Sequence, residues 1–301
     1  MRFGTDRRRG RADKERAQPY PEMKATPPVV ISLTSHPARY AYLHKTLRGL
    51  VGIDYPGLIV EVSLPSPPPN RVARMAARDS RLNIRIVDRD FGPATKYLYA
   101  LENYPDRLIV VCDDDHTYTS RWLRTLVAWN LELGGDACVA CTAMVDLAAI
   151  DPAEPDLADA LQSADGMTVS GVEVYQKVTG EHLRGDPVPL LWPQGYTGYL
   201  LPAGLPSRID ATSHYEACLA LMPEDQLQDM EGRLNDDTVM GAYLHRLGTP
   251  RFVIPHDIDP QPLKRVTQIA SFGSLQQRFH ARYGTNISVA MYLALREKGW
   301  L

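Results

Sequence analysis

An apolar run, Leu108-Ile109-Val110-Val111-Cys112, ends on three consecutive carboxylates, Asp113, Asp114 and Asp115. Three adjacent carboxylates repel one another and are costly unless solvated or neutralised by a cation. Oxygen ligands of this kind suit Mg2+ or Mn2+, ions that can also take two phosphate oxygens. A plainer reading makes the same residues an acidic turn capping the helix that follows. A buried strand leading straight into them favours the metal reading, because ligands of open α/β sheets bind at the carboxyl ends of strands.

The elements that would carry these acids can be read from periodicity. Val29–Leu33, Leu58–Leu64, Leu82–Val87, Leu108–Cys112 and Ala137–Thr142 are short, apolar and β-branched, as strands buried on both faces are. Between them, residues 39–51, 71–79, 94–103 and 120–133 have helical spacing, with Ser120 as the expected N-cap of the last and Gly134 just past its end. This alternation predicts an α/β sandwich with a mostly parallel sheet. Further on, residues 146–165 read as an excursion rich in Asp, Ala and Pro, and Met167–Val178 as a strand or hairpin. Trp192–Leu201 joins glycines and aromatics to an apolar end. Residues 236–247 read as a helix, Arg251–Ile254 as a short strand, and 273–283 and 287–298 as two terminal helices.

The order of these motifs resembles that of GT-A glycosyltransferases, along most of residues 29–257. Strand-then-acids looks like their DXD motif. Val29–Ser35 followed by His36-Pro37-Ala38-Arg39 looks like their first strand and nucleotide-binding loop, which makes Thr34 and Arg39 donor-site candidates. Phe91-Gly92-Pro93-Ala94-Thr95-Lys96 resembles the G-P-x-x-K element of some bacterial family-2-like members. Gly195-Tyr196-Thr197-Gly198 is similar to a glycine-containing loop by the donor sugar. Asn235-Asp236-Asp237 stands where the family carries xED, with Asp236 replacing the usual Glu, and His256 matches a late histidine of the metal site. The resemblance implies a Rossmann-like three-layer α/β/α sandwich with C-terminal helices. It divides the chain into a basic tail (1–28), a catalytic domain (29–270, with 29–142 the nucleotide-binding half and 143–270 the acceptor-side half) and C-terminal helices (271–301). It also implies Mn2+ or Mg2+ held by Asp113, Asp115 and His256, with Asp113 and Asp114 beside the nucleotide. The implied reaction moves a sugar from a nucleoside-diphosphate donor, UDP-linked by expectation, to a saccharide or lipid-linked acceptor, in the setting of polysaccharide assembly.

Each residue has physical grounds and a plainer alternative. Lys96, in the first turn after Gly92-Pro93, could pair with a phosphate as a point charge or be a solvated helix lysine. Arg39 could hold the diphosphate or simply open a helix. Gly195 and Gly198 allow close backbone approach to a ligand, or form a turn. Tyr196, Tyr199 and Trp192 could give a sugar an aromatic platform, or simply pack. One of Asp236 and Asp237 could deprotonate an acceptor hydroxyl, as inversion requires, while either caps the helix through its dipole. DXD does not fix stereochemistry, so a retaining enzyme stays open.

Composition bounds the alternatives. The 301 residues are 44% apolar and 23% charged, ordinary for a globular chain, and the net charge of −3 gives no global attraction to nucleic acid. Residues 1–16 carry seven Arg or Lys against three acids, +4 in all, leaving −7 for the rest. That segment has too few apolar residues to repay ordering. It reads as a flexible tail, either solvated or in peripheral contact with anionic membrane. No apolar run is long enough to span a bilayer, so the expected setting is cytoplasmic or peripheral to the inner face of the membrane. Cys112, Cys138, Cys141 and Cys218 suit reduced core thiols. The Cys138-x-x-Cys141 pair should point to opposite faces of a strand. Competing readings are a nucleotidyltransferase, which the glycine-free loop Thr34–Arg39 counts against, a non-catalytic nucleotide-sugar or glycan-binding protein, and a metal-dependent phosphohydrolase.

Overall fold

The structure is a computed structural model that describes residues 21–146, 166–169, 172–183, 186–205, 209–230, 234–258, 260–263, 279, 281–283 and 287–301. The basic segment 1–16, nearly all of the 146–165 excursion and most of the helix expected over 273–283 lie outside the described residues.

The amino-terminal half alternates as its periodicity predicts. In order come β1 (Val29–Thr34), α1 (Tyr40–Val51), β2 (Ile59–Leu64), α2 (Asn70–Ala76), β3 (Leu82–Ile86), α3 (Thr95–Asn103), β4 (Leu108–Val111), the two-residue β5 (His116–Thr117) and α4 (Ser120–Glu132). β6 (Cys138–Ala140) and β7 (Thr142–Asp146) follow. Then come β8 (Gly166–Val169), β9 (Val172–Thr179), β10 (Val188–Pro189), β11 (Trp192–Pro193), β12 (Tyr199–Leu201), α5 (Ala211–Leu219), α6 (Glu224–Asp229), α7 (Asp236–Arg246), β13 (Arg251–Val253), β14 (Gln261–Pro262) and α8 (Ile287–Glu297).

Eight strands form the central sheet in the order β10-β13-β6-β12-β4-β1-β2-β3. β1, β2, β3, β4, β6 and β13 run one way, and only β12 and β10 oppose them. Central β1 and β4 are apolar at nearly every position because helices cover both faces. One core packs α1, α2 and α4 on one face through Leu43, Leu47, Val72, Trp122 and Leu126. The other packs α3, α5, α7 and α8 on the opposite face through Leu98, Tyr215, Val239 and Met291. This is an α/β three-layer sandwich. Among the described residues no helix is long and apolar enough to cross a membrane.

Three local expectations change. The N-cap of α4 is Thr119, whose hydroxyl accepts from the Trp122 N–H at 3.2 Å, while Ser120 Oγ accepts from the Asp54 N–H at 2.9 Å. Thr119 has the extended backbone an N-cap needs, whereas Ser120 is already helical. The strand expected over Ala137–Thr142 breaks at Cys141. β6 stays in the central sheet, and β7 enters a second, antiparallel sheet of order β11-β7-β9-β8, whose β8–β9 pair is the hairpin read from the sequence. Cys138 lies in one core and Cys141 in the other, the opposite facing that their spacing predicts, and all four cysteines are buried free thiols. Finally, Trp192–Leu201 is two short strands with the glycine loop between them.

Candidate active site at the carboxyl edge of the sheet

β1 and β4 pair in parallel with Ser32 opposite Val111. Continued past the strand ends, that register sets Ser35 beside Asp114, and Ser35 Oγ donates to Asp114 Oδ2 at 2.5 Å. The middle acid thus faces inward. Its side chain is 5% exposed, Thr46 Oγ1 donates to its carbonyl at 2.6 Å, and Arg39 pairs with its Oδ1 at 2.6 Å. Burial pushes the Asp114 carboxyl up to about 6, with Arg39 and Ser35 opposing. Asp115 is held by Arg39 at 2.8 Å and by His116 Nδ1 at 2.7 Å. Burial raises its pKa, but these two partners outweigh burial and leave the carboxyl below its ordinary value.

Asp113 faces the other way, toward α3 and α7. Lys96, in the first turn of α3, is 4% exposed, and its Nζ lies 2.7 Å from Asp113 Oδ1 and 2.8 Å from Asp236 Oδ2. Burial works against its charge, but Asp113, Asp236 and Asp237 together hold its pKa well above the ordinary value. Lys96, expected to meet a phosphate, stands here as a counter-ion that ties the acid loop to α7. α7 starts on Asn235, whose side chain accepts from the Thr238 N–H at 2.9 Å, so Asp236 and Asp237 occupy its first turn. Asp237 Oδ1 accepts from the Gly195 N–H at 3.1 Å. Burial and the adjacent Asp236 push its pKa well above the ordinary value, with Lys96 opposing.

The glycine loop closes over this cluster. A Cβ on Gly195 would stand 2.6 Å from Lys96 Nζ, 3.1 Å from Asp113 Oδ1 and 3.3 Å from Asp237 Oδ1, so only a glycine fits without displacing them. Gly198 has a different reason to be glycine. Its φ is +87° and a Cβ would lie 2.4 Å from Trp122 Cζ2, so it faces a buried tryptophan rather than the acids. Tyr118 links the two loops: its hydroxyl accepts from the Asp113 N–H and donates to the Tyr196 carbonyl, each at 3.1 Å. Tyr199 and Trp192 are fully buried and offer no platform, whereas Tyr196 is half-buried with its ring 5.7 Å from that of His116.

Two other candidates do not join the acids. The Thr34 hydroxyl donates to the Ser63 carbonyl at 2.7 Å and braces β2; Ser35, one residue on, reaches the acids instead. His256 is buried between backbone groups. A carbonyl can only accept, so its Nε2 donates to Cys141 O at 3.0 Å, and its Nδ1 accepts from the Ile258 N–H at 3.2 Å. Both ring nitrogens are thus occupied, and the ligand set Asp113, Asp115 and His256 is not assembled. Among the described residues no group of three or more His, Cys, Asp and Glu side chains stands ready to hold a metal. Ser35, Tyr118 and His116 were missed by sequence reasoning. Only the parallel register signals Ser35, and nothing local signals Tyr118.

Neither a protein-family model nor a curated protein matches the sequence. Among solved structures, TarS of S. aureus (residues 1–349) is 13% identical over 88% of this chain and 70% of its own, with a TM-score of 0.45, too low to bear on the fold. The mannosyltransferase PcManGT from Pyrobaculum calidifontis, in complex with GDP-Man and Mn2+, is 16% identical over 94% of this chain and 75% of its own, with a TM-score of 0.51. The chain therefore shares its overall α/β fold with a protein of that kind.

Proposed function

We propose that this chain is a glycosyltransferase of GT-A type, moving a sugar from a nucleoside-diphosphate donor, UDP-linked by preference, to a saccharide or lipid-linked acceptor with inversion. The observation that carries the reading is the convergence of Asp113, Lys96, Asp236 and Asp237 under Gly195 at the carboxyl edge of the sheet. That edge is where α/β sheets bind ligands. The fold shared with a mannosyltransferase whose structure holds GDP-Man and Mn2+ supports it.

In this reading Asp237 takes the proton of the acceptor hydroxyl. Its raised pKa makes it a better base than an ordinary carboxylate. Asp236 beside it is paired with Lys96 at 2.8 Å. Arg39, paired with Asp115 at 2.8 Å, would hold the diphosphate. Five carboxylates, Asp113–Asp115 and Asp236–Asp237, share the site with the cations of Lys96 and Arg39, so a diphosphate needs further positive charge to enter. Asp113 and Asp115, at 35% and 16% side-chain exposure, are the acids open enough to hold Mg2+ or Mn2+, the remaining ligands being phosphate and water oxygens. Such an ion, when bound, acts as a Lewis acid on the departing diphosphate. His256 is not among the ligands. Cytoplasmic placement belongs to the same proposal.

Calorimetric titration of UDP, GDP and CMP, each with Mn2+ and again with chelator, tests it. The expected result is metal-dependent binding of one nucleoside diphosphate, abolished in Asp115→Ala and retained in Asp237→Asn. No binding of any of them by the native chain overturns the reading.

A further inference from the structure

We propose that the outer face of α1 and α2 is a docking surface for anionic phospholipid headgroups, with Arg71, Arg74 and Arg78 as its principal contacts. All three are exposed. Arg71 and Arg74 stand three residues apart on α2, and Arg78 follows just past its C-cap, in the turn where its N–H donates to the Met75 carbonyl. Val72 is buried beneath, and the intervening Ala73 and Ala77 are exposed but short, so the guanidinium groups are what a flat partner meets first.

Pairing separates these arginines from their neighbours. Arg81 is spent on Asp79, Arg85 on Glu61, and Arg39 on Asp114 and Asp115. Among the described residues no carboxylate pairs with Arg71, Arg74 or Arg78, and residues 62–78 contain no Asp or Glu. α1, which packs beside α2 on the same face of the sheet, also lacks acids and exposes Lys45 and Arg48. The acids of the intervening segment are engaged: Asp54 with Arg124 at 3.4 Å, and Glu61 fully buried.

One part of the opposite layer has the reverse composition. Residues 209–230, which form α5 and α6, hold five acids and no Lys or Arg, with Asp210, Glu224 and Asp225 exposed. Glu216 there pairs with Arg89 and Asp229 with Arg282, which leaves Asp210, Glu224 and Asp225 as the acids facing outward, against the unpaired arginines outside α2. A negative plane attracts one layer and repels the other, which orients the molecule as well as holding it. The basic surface is a helix face rather than a groove, which fits a plane of headgroups better than a threaded polyanion.

The surface also borders the site. α2 starts just after the Ser66–Pro69 turn that leaves the carboxyl end of β2, and Tyr40 Oη donates to the Ser66 carbonyl at 3.0 Å. Tyr40 follows Arg39, the partner of Asp114 and Asp115. Docking on α2 therefore brings the mouth of the acidic cleft alongside the headgroups.

The test is co-sedimentation of the full chain with phosphatidylcholine vesicles, with and without phosphatidylglycerol, at low and high salt. Each basic residue near such a surface contributes about fivefold in partitioning. Salt-sensitive binding to the phosphatidylglycerol vesicles is expected, falling about fivefold in Arg74→Gln and about a hundredfold in R71Q/R74Q/R78Q, with thermal midpoints unchanged. No binding by the native chain overturns the proposal. So does a triple variant that partitions within about threefold of native, which would assign the contact to another basic segment such as residues 1–16. Binding to soluble polyphosphate with none to vesicles also overturns it, in favour of a polyanion.

Discussion

Replacing Lys96 by methionine removes the cation that, among the described residues, faces Asp113, Asp236 and Asp237 together, while keeping most of the apolar stem. Asp236 is 7% exposed and would be left as a buried charge beside Asp237. Removing one partner of a buried pair costs about 3–5 kcal/mol, because the other is stranded. Asp113 is 35% exposed and will be rescued in part by water, which puts the expected loss near the lower end, about 3 kcal/mol. With an unfolding entropy of ~2.1 cal/mol/K per residue over 301 residues, that is a fall of about 5 °C in the thermal midpoint. Scanning calorimetry and urea unfolding of Lys96→Met would measure it. The double variant K96M/D236N removes the stranded charge and should recover about half of the loss or more. If Lys96→Met is within about 1 kcal/mol of native, or the second substitution restores nothing, Lys96 is not an internal counter-ion and the phosphate-binding reading returns.

The Asp114 carboxyl, raised to about 6 from its ordinary 3.8, binds a proton in the folded chain before it does so unfolded. Stability from this group therefore falls as pH rises from about 4 to about 6, by an upper bound of about 3 kcal/mol at 1.36 kcal/mol per pKa unit. Asp114→Asn should flatten the unfolding free energy across that window, and an unchanged slope would refute the assignment. Gly198→Ala combines a left-handed backbone with a methyl group pressed into Trp122, so a loss of about 2–4 kcal/mol is expected, with nucleotide affinity in the refolded fraction unaltered. A fall in affinity without loss of stability would instead make Gly198 a ligand contact.

Elements with a strong local period were legible in the sequence, and contacts made by distant segments were not. β1, β2 and β4 could be read because strands buried on both faces are rich in apolar, β-branched residues. The acids after β4 could be placed because such strands end at the ligand edge. Thr119 was passed over for Ser120 because both are good caps and only the backbone distinguishes them. The second sheet was half visible, as a hairpin, since its partner strand β7 is the continuation of a run that looks like one strand. At the candidate site, Asp236, Asp237 and Gly195 are singled out by the order of motifs, yet their junction with Lys96 is tertiary and leaves no local trace. His256 shows the limit most clearly. A histidine after a strand has the same sequence signature whether its ring faces a cleft or, as here, two backbone groups.

Cys141, where the chain passes from one sheet to the other, is also a meeting point of distant segments. Its N–H donates to Gly198 O, and its carbonyl accepts from the Gly180 N–H and from His256, 115 residues away. β2 pairs with β1 and β3 over short stretches of chain, Val30 with Ile59 and Val60 with Leu82, but β12 must return from Tyr199 to insert between β4 and β6 before the glycine loop can arch over Asp113. Contacts of such long separation are the slow ones in folding. The β1–β3 strands can therefore collapse around their own core while the acids remain open to water, with the acidic cleft sealed last. In hydrogen exchange, amides of β1 and β4 should belong to the most protected unit, and those of residues 194–198 and 141 to one that opens earlier and together.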